Sequence, residues 1–437
     1  MRKYNKNTNE LEAAVCNCCG KSMKIQNGML LEGICSVDTT WGTFPGRTWK
    51  SMSLICARSA TIGLHCRLRF RRKFRRTRRF RISGSSASFW KKGEGAMQRG
   101  FTIQSKVDGL MLDGLVVEPE EGVQRTALLQ LSHGMSEYKE RYLPFMEFMA
   151  EHGVVCVIHD HRGHGKSVKS EQDLGFMYGA GGAGLVEDLF QVTVWAKKEY
   201  PDLPFILMGH SMGSLVVRTY AKEHDRELDA LIVCGSPSKN YLRPLGAAVG
   251  HAEAAVLGDE HRSNLLEAMS FGSFAARFAD EKSRFAWCCS DPEVVREYEE
   301  NPLCGFTFSD DAFFALNDLL KETYGFHGWH CTNRKLPVLF LSGGDDPCYV
   351  NVRRFKKSID HMRLIGYRNV RGKLYPGMRH EILNEKEKYR VYGDVWKWLK
   401  KEKVVGNVEG GSTPPPDPGR RSGRERRCLI IFCKKTT

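Results

Sequence analysis

The stretch Gly209-His210-Ser211-Met212-Gly213 has the pattern G-x-S-x-G and decides the fold that the sequence predicts. Residues 205–208 before it form an apolar run that is typical of a buried strand, and residues 214–221 suit a helix packed on a sheet. A serine at a sharp turn from strand to helix has the geometry of a nucleophile elbow. Because chance alone gives this pattern in roughly one chain of this length in six, the surrounding sequence has to support it.

Short apolar runs alternate with helical segments on both sides of this turn. The alternation predicts an α/β class, with a mostly parallel sheet and helices on both faces. Residues 237–334 break the alternation, and we expect them to form a helical cap over the carboxyl ends of the strands, where such sheets bind ligands. Strands are predicted at 111–117, 127–132, 154–158, 205–208, 230–234, 338–342 and 370–375, and helices at 142–152, 185–200, 214–221, 350–362 and 389–401.

The formal net charge of +15 is concentrated at the two ends of the chain. Residues 1–96 hold 20 Lys and Arg against 5 acidic residues, and residues 403–437 hold 8 against 3, whereas residues 97–402 hold 38 against 43. We therefore expect two disordered extensions around an α/β core at 97–236 and 335–402. The abrupt change in composition at Met97 also leads to the hypothesis that translation starts there.

One segment of the first extension predicts a different kind of function. Ten of the fifteen residues in Arg67–Arg81 are Arg or Lys, interleaved with apolar side chains. Such a run could bind nucleic acid or an anionic membrane surface, although a basic tail without a selected function is the simpler interpretation. Nucleic acid is therefore not expected as a partner.

Compartment and metal content follow from apolar runs and cysteines. The chain has no apolar run of 18 residues and no apolar segment after the first basic residues, so neither a spanning helix nor a secretory signal is expected. The cysteines of residues 97–402 lie mostly in apolar stretches, which is typical of buried thiols in a reducing compartment such as the cytoplasm. Cys16, Cys18 and Cys19 have no partner pair at zinc-finger spacing, so we expect no metal.

A serine nucleophile needs a base, and the base needs an orienting acid. In enzymes with this elbow the acid follows the serine, and the histidine follows the acid. Asp345 and Asp346 come directly after the strand 338–342, and His380 comes after the last predicted strand. Each alone is more simply a polar turn or a surface histidine, but their joint order predicts catalysis by Ser211, an aspartate and His380. The residues alone do not choose between the two aspartates.

The strand 127–132 runs directly into His133-Gly134-Met135. At this place in such a fold the loop supplies one of two N–H groups that hold an oxyanion, and the residue after the serine supplies the other. We therefore expect the oxyanion hole at the backbone N–H groups of Met135 and Met212.

Residues 97–402 resemble the monoacylglycerol lipase and lysophospholipase branch of the α/β-hydrolases, which also holds serine aminopeptidase-like members. The resemblance implies a serine hydrolase that needs no cofactor and cleaves esters of monoacylated lipids. It also implies that Asp346 is the acid, and that the loop carrying Arg162 and His164 is structural. The segments that carry it are His133-Gly134 with Glu137, Arg141 and Tyr142, Asp160 to Ser167, Gly209 to Gly213, Gly343 to Asp346, and His380-Glu381 with Asn384-Glu385.

The expected partner is a small lipid ester, and such a substrate is compatible with transient contact with a membrane surface. Two alternatives stay open. One is an aminopeptidase, or another esterase or thioesterase, of the same fold. The other is a protein of another class that binds nucleic acid or a membrane surface through Arg67–Arg81. The oligomeric state is not predicted.

Overall fold

The computed structural model describes residues 96–406 in full, and within residues 1–95 it describes the backbone of short strands only. The chain divides into two units, Met1–Ser85 and Ser86–Thr437. Two predictions lie largely outside the described residues. They are the disorder of the two ends and the binding role of Arg67–Arg81. Two antiparallel sheets lie in the first unit, ordered β1-β2-β3-β4 and β5-β6-β7: β1 (Arg2–Tyr4), β2 (Leu11–Val15), β3 (Ser22–Gln26), β4 (Met29–Leu30), β5 (Ile34–Ser36), β6 (Ser53–Arg58) and β7 (Leu64–Leu68).

The second unit is built on one sheet of nine strands, ordered β16-β15-β14-β13-β11-β12-β10-β9-β8. The pairs from β12 to β16 are parallel, and the pairs that involve β8, β9 and β10 are antiparallel. The predicted α/β class with a mostly parallel sheet is therefore confirmed. The strands are β8 (Lys91–Gly93), β9 (Ala96–Gln104), β10 (Met111–Pro119), β11 (Ala127–Ser132), β12 (Val154–His159), β13 (Phe205–His210), β14 (Ala230–Cys234), β15 (Pro337–Gly343) and β16 (Asn369–Tyr375).

Helices cover both faces of this sheet and build two hydrophobic clusters. Neighbouring residues of a strand point to opposite faces, so Leu128 packs in one cluster and Leu129 in the other. This double burial explains why the central strands read as unbroken apolar runs. The helices are α1 (Leu143–Glu151), α2 (Gly181–Glu199), α3 (Met212–His224), α4 (Arg243–Leu257), α5 (Asn264–Ala276), α6 (Pro292–Glu300), α7 (Asp310–Tyr324), α8 (Val352–Ile365) and α9 (Lys388–Lys401).

Two boundaries differ from those that composition suggests. The sheet starts ahead of Met97, because β8 pairs with β9 and the unit that carries them begins at Ser86. Within 237–334, α7 buries Ala312 and Leu319 in the main core against α2 and α3, whereas α4 and α5 expose many apolar side chains. In the described part of the chain, no helix combines the length and apolar character that a membrane crossing needs.

Candidate active site

Ser211 lies at the turn between β13 and α3 with a strained backbone, φ 53° and ψ −117°. A Cβ added at Gly209 would lie 2.2 Å from the carbonyl oxygen of Gly213, and one added at Gly213 would lie 2.1 Å from that of Ser132. Only glycine fits at such approaches of backbone to backbone. A non-glycine residue in this conformation costs of order 1–3 kcal/mol, which the surrounding structure has to supply.

His380 and Asp346 form the adjoining pair. Nδ1 of His380 lies 3.1 Å from Oδ1 of Asp346. The hydroxyl of Ser342 donates to Oδ2 of Asp346 at 2.6 Å, and the N–H of Cys348 donates to Oδ1 at 2.8 Å. Burial would raise the pKa of Asp346, but His380 and these hydrogen bonds outweigh it and hold that pKa below its ordinary value. Asp346 therefore stays ionised beside the imidazole.

Asp345 occupies a different environment. Its side chain is 52% exposed and its recorded ion pair is with Arg277 at 3.9 Å. Of the two aspartates that the sequence offers, the structure thus places Asp346 against His380 and Asp345 at the surface.

Ser211 and His380 line the same cavity. Among the described residues the hydroxyl of Ser211 has no recorded hydrogen bond, and the neighbour recorded for Nε2 of His380 is Sγ of Cys348 at 3.9 Å. A hydrogen bond between a catalytic serine and its histidine is often long in the absence of substrate and shortens in the reacting complex. The structure thus brings the two residues to one cavity without closing the bond between them.

The oxyanion loop, His133-Gly134-Met135, is the predicted source of one N–H of the oxyanion hole. One of its N–H groups already forms a hydrogen bond within the protein. The N–H of Gly134 donates to Oε1 of Glu137 at 2.6 Å, so it is occupied. Met135 and Met212 both line the cavity beside Ser211. Met212 is the first residue of α3, so its N–H has no carbonyl within the helix to accept it. The geometry is compatible with the predicted pair of N–H donors.

A buried charge network supports this loop, and reasoning from the serine, acid and histidine motifs did not find it. Arg141 bonds Oε2 of Glu137 at 2.8 Å and both carboxylate oxygens of Glu381. The hydroxyl of Tyr142 donates to Oε1 of Glu137 at 2.8 Å. Burial opposes both carboxylate charges, yet the hydrogen bond of His210 and the charge of Arg141 lower the pKa of Glu137, and Arg141 lowers the pKa of Glu381. The only sequence signal was that these residues help to carry the family resemblance.

His210 joins this network to the base. Its Nδ1 lies 3.3 Å from Oε1 of Glu137, and its Nε2 donates to the carbonyl of His380 at 3.3 Å. Burial would lower the pKa of His210, but the hydrogen bond and the charge of Glu137 outweigh it and raise that pKa. The second residue of the elbow motif therefore positions the backbone of His380.

Arg141→Met is expected to lower the free energy of unfolding by about 3–5 kcal/mol, because Glu137 and Glu381 would keep buried charges without their partner. The side chain of Arg141 is only 11% exposed, and those of the two carboxylates are 3% and 5% exposed. Urea unfolding at pH 7 measures the change. The control is Arg390→Met, whose exposed pair with Glu387 should contribute less than about 1 kcal/mol. Equal losses in both variants would contradict the prediction.

Four buried histidines lie behind the oxyanion loop. The ring of His133 lies 4.5 Å from that of His161 and 5.2 Å from that of His164, and the ring of His159 lies 5.0 Å from that of His161. Nε2 of His164 accepts the N–H of Ser136, which fixes the loop. Burial lowers the pKa of all four, to about 3 for His159 and about 4 for His164. At pH 7 the cluster is therefore neutral.

The prediction of a structural loop at Arg162 agrees with its contacts. Arg162 is fully buried, donates from Nε to Asp188 at 2.8 Å and pairs with Asp108 at 2.8 Å. The guanidinium of Arg162 is thus held inside the fold by two carboxylates, which is the contact pattern of a structural loop.

The neutral histidine cluster predicts a loss of stability in mild acid. The unfolded chain binds protons near pH 6.5 where the folded chain does not, so stability is complete above pH 6.5 and falls as the pH drops towards 4. In His159→Leu we expect a smaller loss of the free energy of unfolding on acidification, by about 1–2 kcal/mol at pH 5. Urea unfolding between pH 7.5 and 5 measures it.

The control for this experiment is His327→Leu, which removes an exposed histidine. His210, whose pKa is raised, acts in the opposite direction but is present in every variant. An equal dependence on pH in His159→Leu, His327→Leu and the unchanged protein would show that the cluster does not titrate with unfolding.

The cavity above Ser211 has a volume of about 600 Å³. The cap supplies much of its lining, and Trp287 stands over His380 with 5.1 Å between the ring centres. Apolar side chains cover one part of the wall: Leu215, Phe271, Phe274, Trp287, Leu316 and Leu320. Such a wall suits an apolar group of the substrate.

Two groups of side chains in the described part have metal-ligating atoms within 4.8 Å of one another. One is Asp346, Cys348 and His380, where the aspartate–histidine bond already accounts for the arrangement. The other is Glu253, His261 and Asp310, at the start of α7, where His261 pairs with Asp310 at 3.1 Å.

This chain has relatives among known proteins. A family model described as serine aminopeptidase, S33 (Hydrolase_4) matches residues 124–387, more than half of the chain. The chain belongs to this family. Solved structures show that the fold is that of the α/β-hydrolases, and the relatives of this chain include a monoacylglycerol lipase, in agreement with the resemblance.

Two relatives and one solved structure show the extent of the similarity. Monoacylglycerol lipase of Mycolicibacterium smegmatis is 28% identical over 62% of this chain and 86% of its own length. Phospholipase YtpA of Bacillus subtilis is 30% identical over 61% of this chain and 92% of its own length. The carboxyl esterase of Bacillus coagulans is similar in fold, with a TM-score of 0.65 and 23% identity over 70% of this chain and 99% of that chain.

Proposed function

We propose that this hydrolase cleaves carboxylic esters of monoacylated lipids through an acyl-enzyme on Ser211. The observation that supports it best is the meeting in one cavity of a strained elbow serine and a histidine bonded to a buried carboxylate. The apolar part of the wall suits an acyl chain. The names of the two relatives, a monoacylglycerol lipase and a phospholipase, support this substrate class.

The proposed reaction uses three side chains and two N–H groups. His380 takes the proton of Ser211 as the hydroxyl attacks the ester carbonyl, while Asp346 holds the imidazole in the right tautomer and stabilises its charged form. The N–H groups of Met135 and Met212 hold the oxyanion. His380 then protonates the departing alcohol, and water releases the fatty acid from the acyl-enzyme.

The aminopeptidase alternative needs a free carboxylate in the cavity to hold a substrate ammonium group. The three glutamates that line the cavity each have an arginine partner, since Glu137 and Glu381 pair with Arg141 and Glu267 pairs with Arg284 through Oε1, although Oε2 of Glu267 has no hydrogen-bond partner in the described structure. This pairing favours an ester substrate over an aminoacyl one.

A substrate panel tests the proposal directly. Purified full-length protein is assayed with p-nitrophenyl butyrate, monoacylglycerols, lysophospholipids and aminoacyl amides. We expect hydrolysis of the esters and at least one monoacylated lipid, and little release from the amides. Hydrolysis of the amides alone would establish the aminopeptidase alternative instead.

A further inference from the structure

A second, smaller cavity of about 70 Å³ opens beside the main one, and four residues line both: Ser238, Lys239, Tyr241 and Arg354. Lys357 and His361 also line the smaller cavity. Within the described residues, Lys239, Arg354 and Lys357 form no recorded ion pair with a carboxylate. We call Lys239, Arg354, Lys357 and His361 the basic cluster. Three of its four members are cations without a carboxylate partner at the edge of the substrate cavity.

A buried arginine stands directly behind this cluster. Arg218 is fully buried, and its guanidinium carbon lies 5.1 Å from the ring centre of Tyr324, which lines the smaller cavity. It bonds the hydroxyl of Ser236 and the carbonyl of Ser214, and its Nη1 has no partner in the described structure. A buried cation without a carboxylate is costly unless a negative group is supplied from elsewhere. Arg218 lines neither cavity, so what it contributes to the cluster is positive charge from behind Tyr324.

Burial and the neighbouring cations both affect the pKa of His361. Burial first, and then the charges of Arg218, Lys239 and Lys222, lower the pKa of this histidine to about 4. Its Nε2 donates to the carbonyl of Thr323 at 3.0 Å. The local potential is therefore positive, and His361 stays neutral beside the ligand.

The basic cluster is joined through Ser238 to Cys348, which lies beside the histidine that protonates the departing alcohol in the proposed reaction. That alcohol has to reach Nε2 of His380 to receive its proton, and this atom lies 3.9 Å from Sγ of Cys348. The N–H of Ser238 donates to the carbonyl of Cys348 at 3.1 Å, and the hydroxyl of Ser238 donates to the carbonyl of Tyr349 at 2.9 Å. Lys239 follows Ser238 directly. Arg354 donates to the carbonyl of Lys239 at 2.9 Å and lies 4.9 Å from the ring centre of Tyr241.

We propose that the basic cluster binds a phosphate on the alcohol part of the substrate, so that the preferred esters are monoacylated glycerophosphates rather than neutral monoacylglycerols. This inference rests on the proposed function and narrows its substrate class. Lys239 and Arg354 hold the phosphate at the mouth of the small cavity, with Lys357 beside them. The acyl chain lies along the apolar wall that contains Phe271 and Leu320. Ser211 takes the acyl group, the ester C–O bond breaks, and glycerophosphate leaves with the proton from His380.

The test compares kcat/KM for octanoyl glycerophosphate and octanoylglycerol, both below their micelle concentrations so that no lipid surface is present. We expect the ratio of the two constants to favour the phosphate ester in the unchanged protein. We expect it to fall about tenfold in Arg354→Ala and in Lys239→Ala, because each removes one charged donor to the phosphate. The matched control is Arg353→Ala, which removes an exposed arginine of the same helix that lines neither cavity and should keep the ratio.

Three outcomes would overturn the inference. The first is a ratio that stays the same in Lys239→Ala, Arg354→Ala and the double variant while all of them still label with a fluorophosphonate probe. The second is a preference that exists only on anionic vesicles, which would make the cluster a membrane contact. The third is competition by inorganic phosphate without any change in the substrate ratio, which would make it a site for the free anion. Failure of the unchanged protein to label or to hydrolyse either ester would contradict the proposed function instead.

Discussion

Ser211→Ala is expected to lower kcat/KM for p-nitrophenyl butyrate by at least about 10⁴-fold and to abolish labelling by a fluorophosphonate probe. The proposed acyl-enzyme needs an oxygen at this position, and alanine supplies none. The remaining groups would still bind the ester and polarise its carbonyl, so a small residual rate is compatible with the mechanism. Probe labelling of the full-length chain, followed by mass determination of the labelled peptide, measures the effect.

Ser273→Ala is the matched control for this experiment. Ser273 is an exposed serine that lines the same cavity, on helix α5 of the cap. It should label and turn over like the unchanged protein. Labelling that persists in Ser211→Ala, with an unchanged melting temperature, would place the nucleophile elsewhere in the chain.

Asp346→Asn is expected to lower kcat by about 10³–10⁴-fold. The Asp346 carboxylate accepts a hydrogen bond from the N–H at Nδ1 of His380. This bond leaves Nε2 without a proton, so that Nε2 can take the proton of the serine. An asparagine amide at this place can donate to Nδ1, which stabilises the wrong tautomer. It also supplies no negative charge to the imidazolium that forms during the reaction. Measurement of kcat with a soluble ester at pH 7.5 to 8 tests this.

Asp345→Asn makes the same chemical change one residue earlier and provides the comparison. Its side chain is 52% exposed and 3.9 Å from Arg277, so we expect less than about a threefold effect. If the two variants lost activity to the same extent, the loop as a whole rather than the Asp346 carboxylate would be responsible. If only Asp345→Asn lost activity, the assignment of the acid would be reversed.

Much of the fold was predictable because the sheet is buried on both faces. β11, β12, β13 and β14 are apolar over almost their whole length, and the structure keeps the predicted positions to within two residues. β8 and β9 were not predicted as strands, because an antiparallel edge with polar residues carries a weaker pattern than a buried parallel strand. α7 was assigned to the cap because the chain between Pro237 and Arg334 has no strand. Only its packing on α2 and α3 shows that it belongs to the main core.

The candidate site divides in a similar way. The elbow, the order of acid and histidine, and the loop after β11 are local patterns, so they could be read from the chain. Arg141 and Glu381 are separated by 240 positions, and no local rule connects them. Likewise, Lys239 and Arg354 line one cavity only because folding brings the segment after β14 next to the start of α8.

By itself, the sequence predicted the α/β class, the strands from β10 to β16 and the serine, aspartate and histidine that we propose for catalysis. These follow from hydrophobic period and from short motifs, which depend on near neighbours in the chain. The family resemblance implied Asp346 rather than Asp345, and the tertiary structure places Asp346 against His380. Only the tertiary structure decided that His210 positions that histidine and that unpaired cations gather beside the substrate cavity. Burial and charge compensation set those relations, and both depend on residues that folding brings together from distant parts of the chain.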